Sequence, residues 1–245
     1  MTAPASRLYP RLGRTASRRL GDFLTYTILL LGAVVIMILP FWMISASFKT
    51  VDKIFIFPPE WIPHPFTLQN YIYILRDVPF PRFILNSLIV SGFTIIGQTL
   101  SASVVAFGFA RLRFPGRDII FVIMLSTMMI PFQVTMIPLF VIMRWLGFLN
   151  SLKALIVPAF FGSPFYIFLI RQYFMTLPFE LDDAARIDGA TDLLIYAKVV
   201  VPMSKAAMAT AGAFSFFAIW TDFFWPLLAT SRMEMRTLEV GLSVF

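Results

Sequence analysis

The chain contains no cysteine and a single histidine, and Asp, Glu, Lys and Arg together supply only 13% of its 245 residues. The missing thiols exclude disulfides, zinc-thiolate sites and thiol catalysis. The one imidazole, His64, stands between Pro63 and Pro65, outside every long apolar run, and reads as a surface residue rather than a catalyst or ligand. No His-x-x-x-His pair and no paired carboxylate falls within an apolar run, and Gly162-Ser163 has no histidine near it in sequence. A membrane-embedded hydrolase or transferase needs such a nucleophile, base or metal cage, so the sequence argues against an enzyme. Also absent is a G-x-x-x-x-G-K-[ST] loop to cradle phosphates. The chain is expected to bind no cofactor and make no nucleotide contact of its own.

Charge is scarce because long stretches have none. The chain is 59% hydrophobic with 28 Phe, against a globular norm of about half apolar and a quarter charged. Five uncharged runs stand out: Phe23 to Phe48, Phe83 to Ala110, Ile119 to Met143, Ala154 to Ile170 and Ala206 to Thr221. A hydrocarbon core of about 30 Å needs roughly 20 helical residues, so these runs predict an all-α membrane protein with five spans. The last two are short, but Arg171 and Lys205 can snorkel to the interface. The first run exceeds the roughly 7 to 15 apolar residues of a signal peptide and is read as a retained span.

The net charge of +7 and pI of about 10.0 could suggest nucleic acid, but the placement of the basic residues decides against it. Arg7, Arg11, Arg14, Arg18 and Arg19 precede the first run, and Arg111, Arg113 and Arg117 crowd one short connection. Lys and Arg number twelve in the three alternate segments that include the N-terminus and eight in the other three, which is the positive-inside pattern. It predicts a cytoplasmic tail over residues 1–22, a membrane domain over 23–245, a cytoplasmic loop over 171–205, and lipid rather than nucleic acid as the surrounding partner.

The outer segment Lys49 to Arg82 carries six prolines and the aromatics Trp61, Phe66, Tyr71 and Tyr73. It reads as a folded extracytoplasmic loop with a short interfacial helix near Leu68 to Leu75, or as a surface that touches a partner. Ala102, Ala106 and Ala110 recur every four residues, a spacing that lets helices approach closely within this chain or against a second one. Pro131, Pro138, Pro158 and Pro164 predict kinks or unwound turns, which line substrate paths in transporters but are also common in membrane helices. Asn86 and Gln133 are polar at membrane depth and are candidate pathway or helix-contact residues. Asp222 is the one charged candidate at the edge of a span.

The segment Met175 to Lys205 holds five of the thirteen carboxylates. Pro178 suits a first helical turn, Glu180, Asp182 and Asp183 suit the positive end of a helix dipole, and Gly189 supplies a stop. A second helix is expected from Thr191, its cap, toward Pro202. Leu181, Ala184, Ala185 and Asp188 share one flat face. That face either enters a groove on another protein, with Asp183 and Asp188 pairing basic groups there, or packs on its own membrane domain.

The stretch Leu177-Pro178-Phe179-Glu180-Leu181-Asp182-Asp183-Ala184-Ala185-Arg186-Ile187-Asp188-Gly189-Ala190, with the later Val201-Pro202, resembles the EAA loop of ABC importer permeases. Asn86-Ser87, Ala106 to Arg111, Ile130-Pro131 with Ile137-Pro138, and Trp220-Thr221-Asp222-Phe223 with Pro226-Leu227 are similar to the maltose-type carbohydrate subfamily. The resemblance covers nearly the whole chain after Phe23. It implies the type I importer fold in a bacterial inner membrane, and an ATPase dimer that binds ATP and Mg and docks at Asp183, Ala184, Ala185, Asp188, Gly189 and Pro202. It further implies a second permease subunit, an extracytoplasmic solute-binding protein, a sugar-like solute, and a path past Asn86, Gln133, Trp220 and Asp222. Asp183, Ala206 and Thr221 depart from the family's usual Glu, Pro and Asn. A sixth span is expected beyond Phe245, with truncation the expected reason for its absence. An ion-coupled secondary transporter is the remaining alternative; it would be expected to carry charge within its spans.

Overall fold

In a computed structural model, residues 12–243 are described, with side chains from Arg18 onward, and no strand occurs among them. Arg7 and Arg11 of the basic tail lie outside the described residues, as does the side chain of Arg14. The chain divides into two compact units, residues 1–77 and 78–245.

In the first unit, α1 (Leu12–Ser47) is one continuous helix that carries Pro40 without breaking. Its apolar side chains from Leu20 to Leu39 are exposed, as expected of a helix solvated by hydrocarbon. The proline-rich segment that follows folds back on the end of α1. The Lys49 ammonium lies 4.1 Å from the Trp42 ring centre and donates to the Glu60 carbonyl, while Ser45 donates to the Trp61 carbonyl at 2.6 Å. Asn70 donates to the carbonyls of Ser47 and Lys49, and Phe48 stacks on Phe66. Those bonds hold α2 (Gln69–Arg76), a short helix within a residue of the expected bounds.

The second unit is built around α3 (Phe80–Arg111), an unbroken helix long enough to cross a membrane. The third and fourth apolar runs are not single helices. The third splits into α4 (Arg117–Ser126), a 3-10 turn (Thr127–Met129) and α5 (Phe132–Trp145), bent by 96°; the fourth splits into α6 (Lys153–Phe160) and α7 (Pro164–Phe174), bent by 41°. The breaks fall at Pro131 and Pro164, whose preceding residues Ile130 and Ser163 are extended, as a following proline demands. Pro138 and Pro158, which also predicted kinks, stay inside helices.

After α7 come α8 (Glu180–Ile187), α9 (Asp192–Met203) and α10 (Lys205–Trp220), the last two meeting at 78°. Within α9 the turns widen to π geometry over Tyr196–Val200, and the Val201 N–H reaches the Tyr196 carbonyl. Pro202 has no N–H and its ring crowds the carbonyl four residues back, so a widened turn just before it relieves both problems. The short α11 (Phe224–Ala229) and α12 (Leu238–Leu242) complete the described chain. Among the described residues two helices are long and apolar enough to cross a membrane, and counting each of three bent pairs as one span brings the number to as many as five.

α3 packs on α6, α7 and α10. The small-residue stripe lies at this contact: Ala102 and Ala106 are wholly inaccessible, and a Cβ on Gly162 would come within 2.6–2.8 Å of Ala102. The stripe therefore serves packing within this chain. One apolar core, including Phe107, Phe109, Ile170 and Phe174, holds one end of the bundle; a second, around Val90, Leu155 and Trp225, holds the other.

Candidate functional site

The acidic segment forms a helical hairpin at the end of the bundle where α3 stops. α8 begins at Glu180, so Pro178 lies just ahead of the helix rather than in its first turn, and Phe179 occupies the capping position. Three carboxylates stand in the first turn and Arg186 in the last, each sign at the favourable dipole end. Gly189 takes φ +84°, the left-handed conformation that stops the helix. Thr191 has the extended backbone of a cap, but its side chain makes no capping bond. Arg186 instead pairs with Asp192 at 2.9 Å, tying the two arms of the hairpin.

The outward surface mixes charge with uncovered apolar groups. Asp183, Ala184, Asp188 and Gly189 are exposed, Ala185 is half-buried against the core, and Ile187 and Leu193 are 87% and 75% exposed. Such apolar exposure outside the spans suits a protein partner. Pro202 lies in the last turn of α9, where that arm rejoins the bundle.

Beneath the hairpin sits an ion pair whose two members the sequence reading named separately and did not join. Asp182, not Asp183, turns inward and meets Arg111 at 3.5 Å, with 4% and 1% of the side chains exposed. Burial pushes the Asp182 carboxyl above the usual aspartate range, against the pull of Arg111 and Arg186. Arg111 also donates to the carbonyls of Phe174 and Leu177 at 2.9 and 3.0 Å, and the Phe179 ring covers it at 4.4 Å. A cleft of about 650 Å³ opens beside it, lined by Arg113, Phe114, Asp183, Arg186 and Asp192.

Toward the opposite end, a cavity of about 280 Å³ lies where the two helix breaks converge: Phe132 follows the first, and Phe161 and Ser163 form the second. Aromatic groups (Phe132, Phe161, Trp225) and polar ones (Gln98, Asp222, Thr237) share its wall. Gln98 accepts a 2.5 Å bond from Ser215, and the Trp225 indole donates to Ala154 at 3.0 Å. Asp222 is half-buried in the α10–α11 turn, where it accepts from the Trp225 N–H at 3.4 Å. Aromatic faces beside a few fixed polar groups are the usual wall of a small-molecule site.

Of the four residues suggested for a path, only Asp222 lines this cavity. Asn86 is buried and donates to the carbonyls of Glu234 and Arg236, Gln133 is exposed at the start of α5, and Trp220 stacks on Phe216. Gln98 and Trp225 were missed, although Gln98 carries the same signal as Asn86 and Gln133, a polar amide within an apolar run. Trp225 does lie beside the quoted Pro226.

Residues 98–243 match the model of the binding-protein-dependent transport system inner membrane component family. The sulfoquinovosyl glycerol transport permease SmoH of Agrobacterium fabrum is 33% identical, covering 83% of this chain and 72% of that protein. The diacetylchitobiose uptake permease NgcG of Streptomyces coelicolor is 29% identical over 96% of this chain and 78% of that protein. The arabinooligosaccharide permease AraQ of Halalkalibacterium halodurans is 36% identical over 74% and 65%. A solved bacterial ABC transporter that imports the acidic polysaccharide alginate superposes with a TM-score of 0.82 and 25% identity, covering 99% of this chain and 82% of that one.

Proposed function

The chain belongs to the family of binding-protein-dependent transport system inner membrane components and is a sugar-type ABC importer permease rather than an enzyme, and from that premise we propose how its parts share the work. The N-terminus lies in the cytoplasm, and the α8–α9 hairpin projects there. α8 docks into a groove of a separate ATPase, which supplies all contacts to ATP and Mg. Asp183, Ala184, Ala185, Asp188 and Gly189 form that contact, and Pro202 ends the arm that returns to the bundle. A second, different permease chain completes the membrane pair, and an extracytoplasmic binding protein delivers the solute. Closure of the ATPase dimer pushes α8 and rocks the bundle to alternate access.

The solute is a sugar, oligosaccharide or glycoside. Two features support that class: the aromatic and polar wall of the 280 Å³ cavity, and relatives named for a sulfoquinovosyl glycerol, a chitobiose and arabinooligosaccharides. The observation that carries the coupling role is the exposed flat face of α8, closed by Gly189 and held to the bundle from below.

The test is gentle purification of the tagged chain from its native membranes, with mass spectrometry of what accompanies it, then reconstitution with ATP. Recovery of a P-loop ATPase and a second multi-span chain, with binding-protein-dependent uptake of a glycoside, is the expected result. A chain that arrives alone and moves or modifies solute without ATP overturns the reading.

A further inference from the structure

Arg111 and Asp182 form an expensive pair. Two charges taken out of water are repaid only where every remaining donor and acceptor is met. Here Arg111 Nε and Nη1 and Asp182 Oδ1 make no hydrogen bond within the chain. An apolar pair of equal volume would hold the fold about as well. Stability alone does not account for the pair, and its geometry suggests another use.

One guanidinium ties three pieces of chain together. Its backbone ends α3, one face of its fork holds the Phe174 and Leu177 carbonyls at the end of α7, and its other side faces Asp182 in the first turn of α8, with Phe179 as a lid. The five residues joining α7 to α8 would otherwise form a loose hinge able to absorb a push on α8. With the Phe174 carbonyl at the end of α7, the Leu177 carbonyl among those five and the first turn of α8 fixed on one planar group, α8 is fastened to α3 and α7. Lysine could not do this, because a point charge does not present the fork.

We propose that Arg111 and Asp182 are positioning residues for energy coupling: a clasp that makes movement of α8 move α3 and α7. This rests on the reading of α8 as the ATPase-docking helix. The decisive variant is the double replacement Arg111→Met/Asp182→Leu, which removes both charges while keeping volume. Arg111→Lys and Asp182→Glu serve as graded companions.

Two measurements are made on the assembled transporter in lipid vesicles. The first is uptake per ATP hydrolysed. The second is the distance distribution between spin labels at Glu180→Cys on α8 and Val104→Cys on α3, with any cysteine of the partner subunits replaced, since this chain has none of its own. We expect the double variant to assemble and hydrolyse ATP, to lose about tenfold or more in uptake per ATP, and to show a broadened label distance. Asp182→Glu should recover most of both, and Arg111→Lys little. Wild-type coupling and an unchanged distance in the double variant overturn the clasp. If wild-type protein shows no ATP-driven uptake, the docking reading fails, and the label distances alone then decide whether the clasp holds α8 to α3.

Discussion

Gly162 packs against the backbone of Ala102, where a Cβ on the glycine would lie 2.6–2.8 Å from the Ala102 Cα, N and Cβ. Backbone cannot swing aside as a side-chain tip can, so Gly162→Ala forces α3 and the α6–α7 break apart. Overpacking of this kind costs about 1–3 kcal/mol, and thermal unfolding in detergent should show it. Gly108→Ala in α3 meets nothing within 4 Å and should be neutral or gain up to about 1 kcal/mol from helix propensity. Equal behaviour of the two variants would contradict the close approach.

Asn86 carries a different load. Its buried amide donates to the carbonyls of Glu234 at 2.8 Å and Arg236 at 2.9 Å, while Ser87 beside it accepts from the Leu238 N–H at 2.8 Å. The segment between α11 and α12 is thus pinned to the start of α3. Asn86→Asp turns two donors into a carboxylate facing two carbonyls and should cost about 1–3 kcal/mol or more. Limited proteolysis should then cut within residues 231–237, where wild-type protein resists, and an unchanged pattern would count against the anchor.

Within the chain a Cβ on Gly189 meets open space, so for folding a substitution there meets only the penalty of φ +84°. For valine that penalty is about 1–2 kcal/mol, while asparagine visits this region more readily. Gly189→Val should therefore insert and accumulate normally yet uncouple transport, and Gly189→Asn should keep most coupling. The comparison needs membrane abundance and uptake per ATP side by side. Loss of Gly189→Val from the membrane would assign the glycine to folding instead.

The α8–α9 hairpin was legible because its signals are local: a glycine stop, carboxylates at a helix start and a proline near the return are set by neighbours in the chain. The helix breaks were half legible. Pro131 and Pro164 break, but Pro138 and Pro158 do not, since a proline's cost can be absorbed by a distorted turn and sequence alone does not say which turn yields. The Arg111–Asp182 pair joins residues 71 apart in the chain, so no periodic pattern announces it. Asp182 and Asp183 look alike in sequence; only the helix phase sends one inward and leaves the other exposed. The cavity is hidden for the same reason, because its wall draws one to three residues each from α3, α5, α6, α10 and α11.

Asp222 separates the two ways of powering transport. Its Oδ1 accepts from the Trp225 N–H and its carboxylate lines the cavity, so it can both cap α11 and accept a solute hydroxyl. Asp222→Asn keeps the shape and the capping oxygen but removes the charge. Hydrogen bonds to charged groups exceed neutral ones by enough that the apparent KM should rise by about tenfold, while ATP dependence and maximal rate stay near wild type. An ion-coupled carrier would behave otherwise, since the Asp222 carboxylate at the edge of a span would carry the coupling ion. Uptake would then vanish in Asp222→Asn, and in wild-type vesicles it would follow an imposed ion gradient without ATP. Measuring uptake against solute concentration, with ATP inside and then with a gradient alone, distinguishes the two for both proteins.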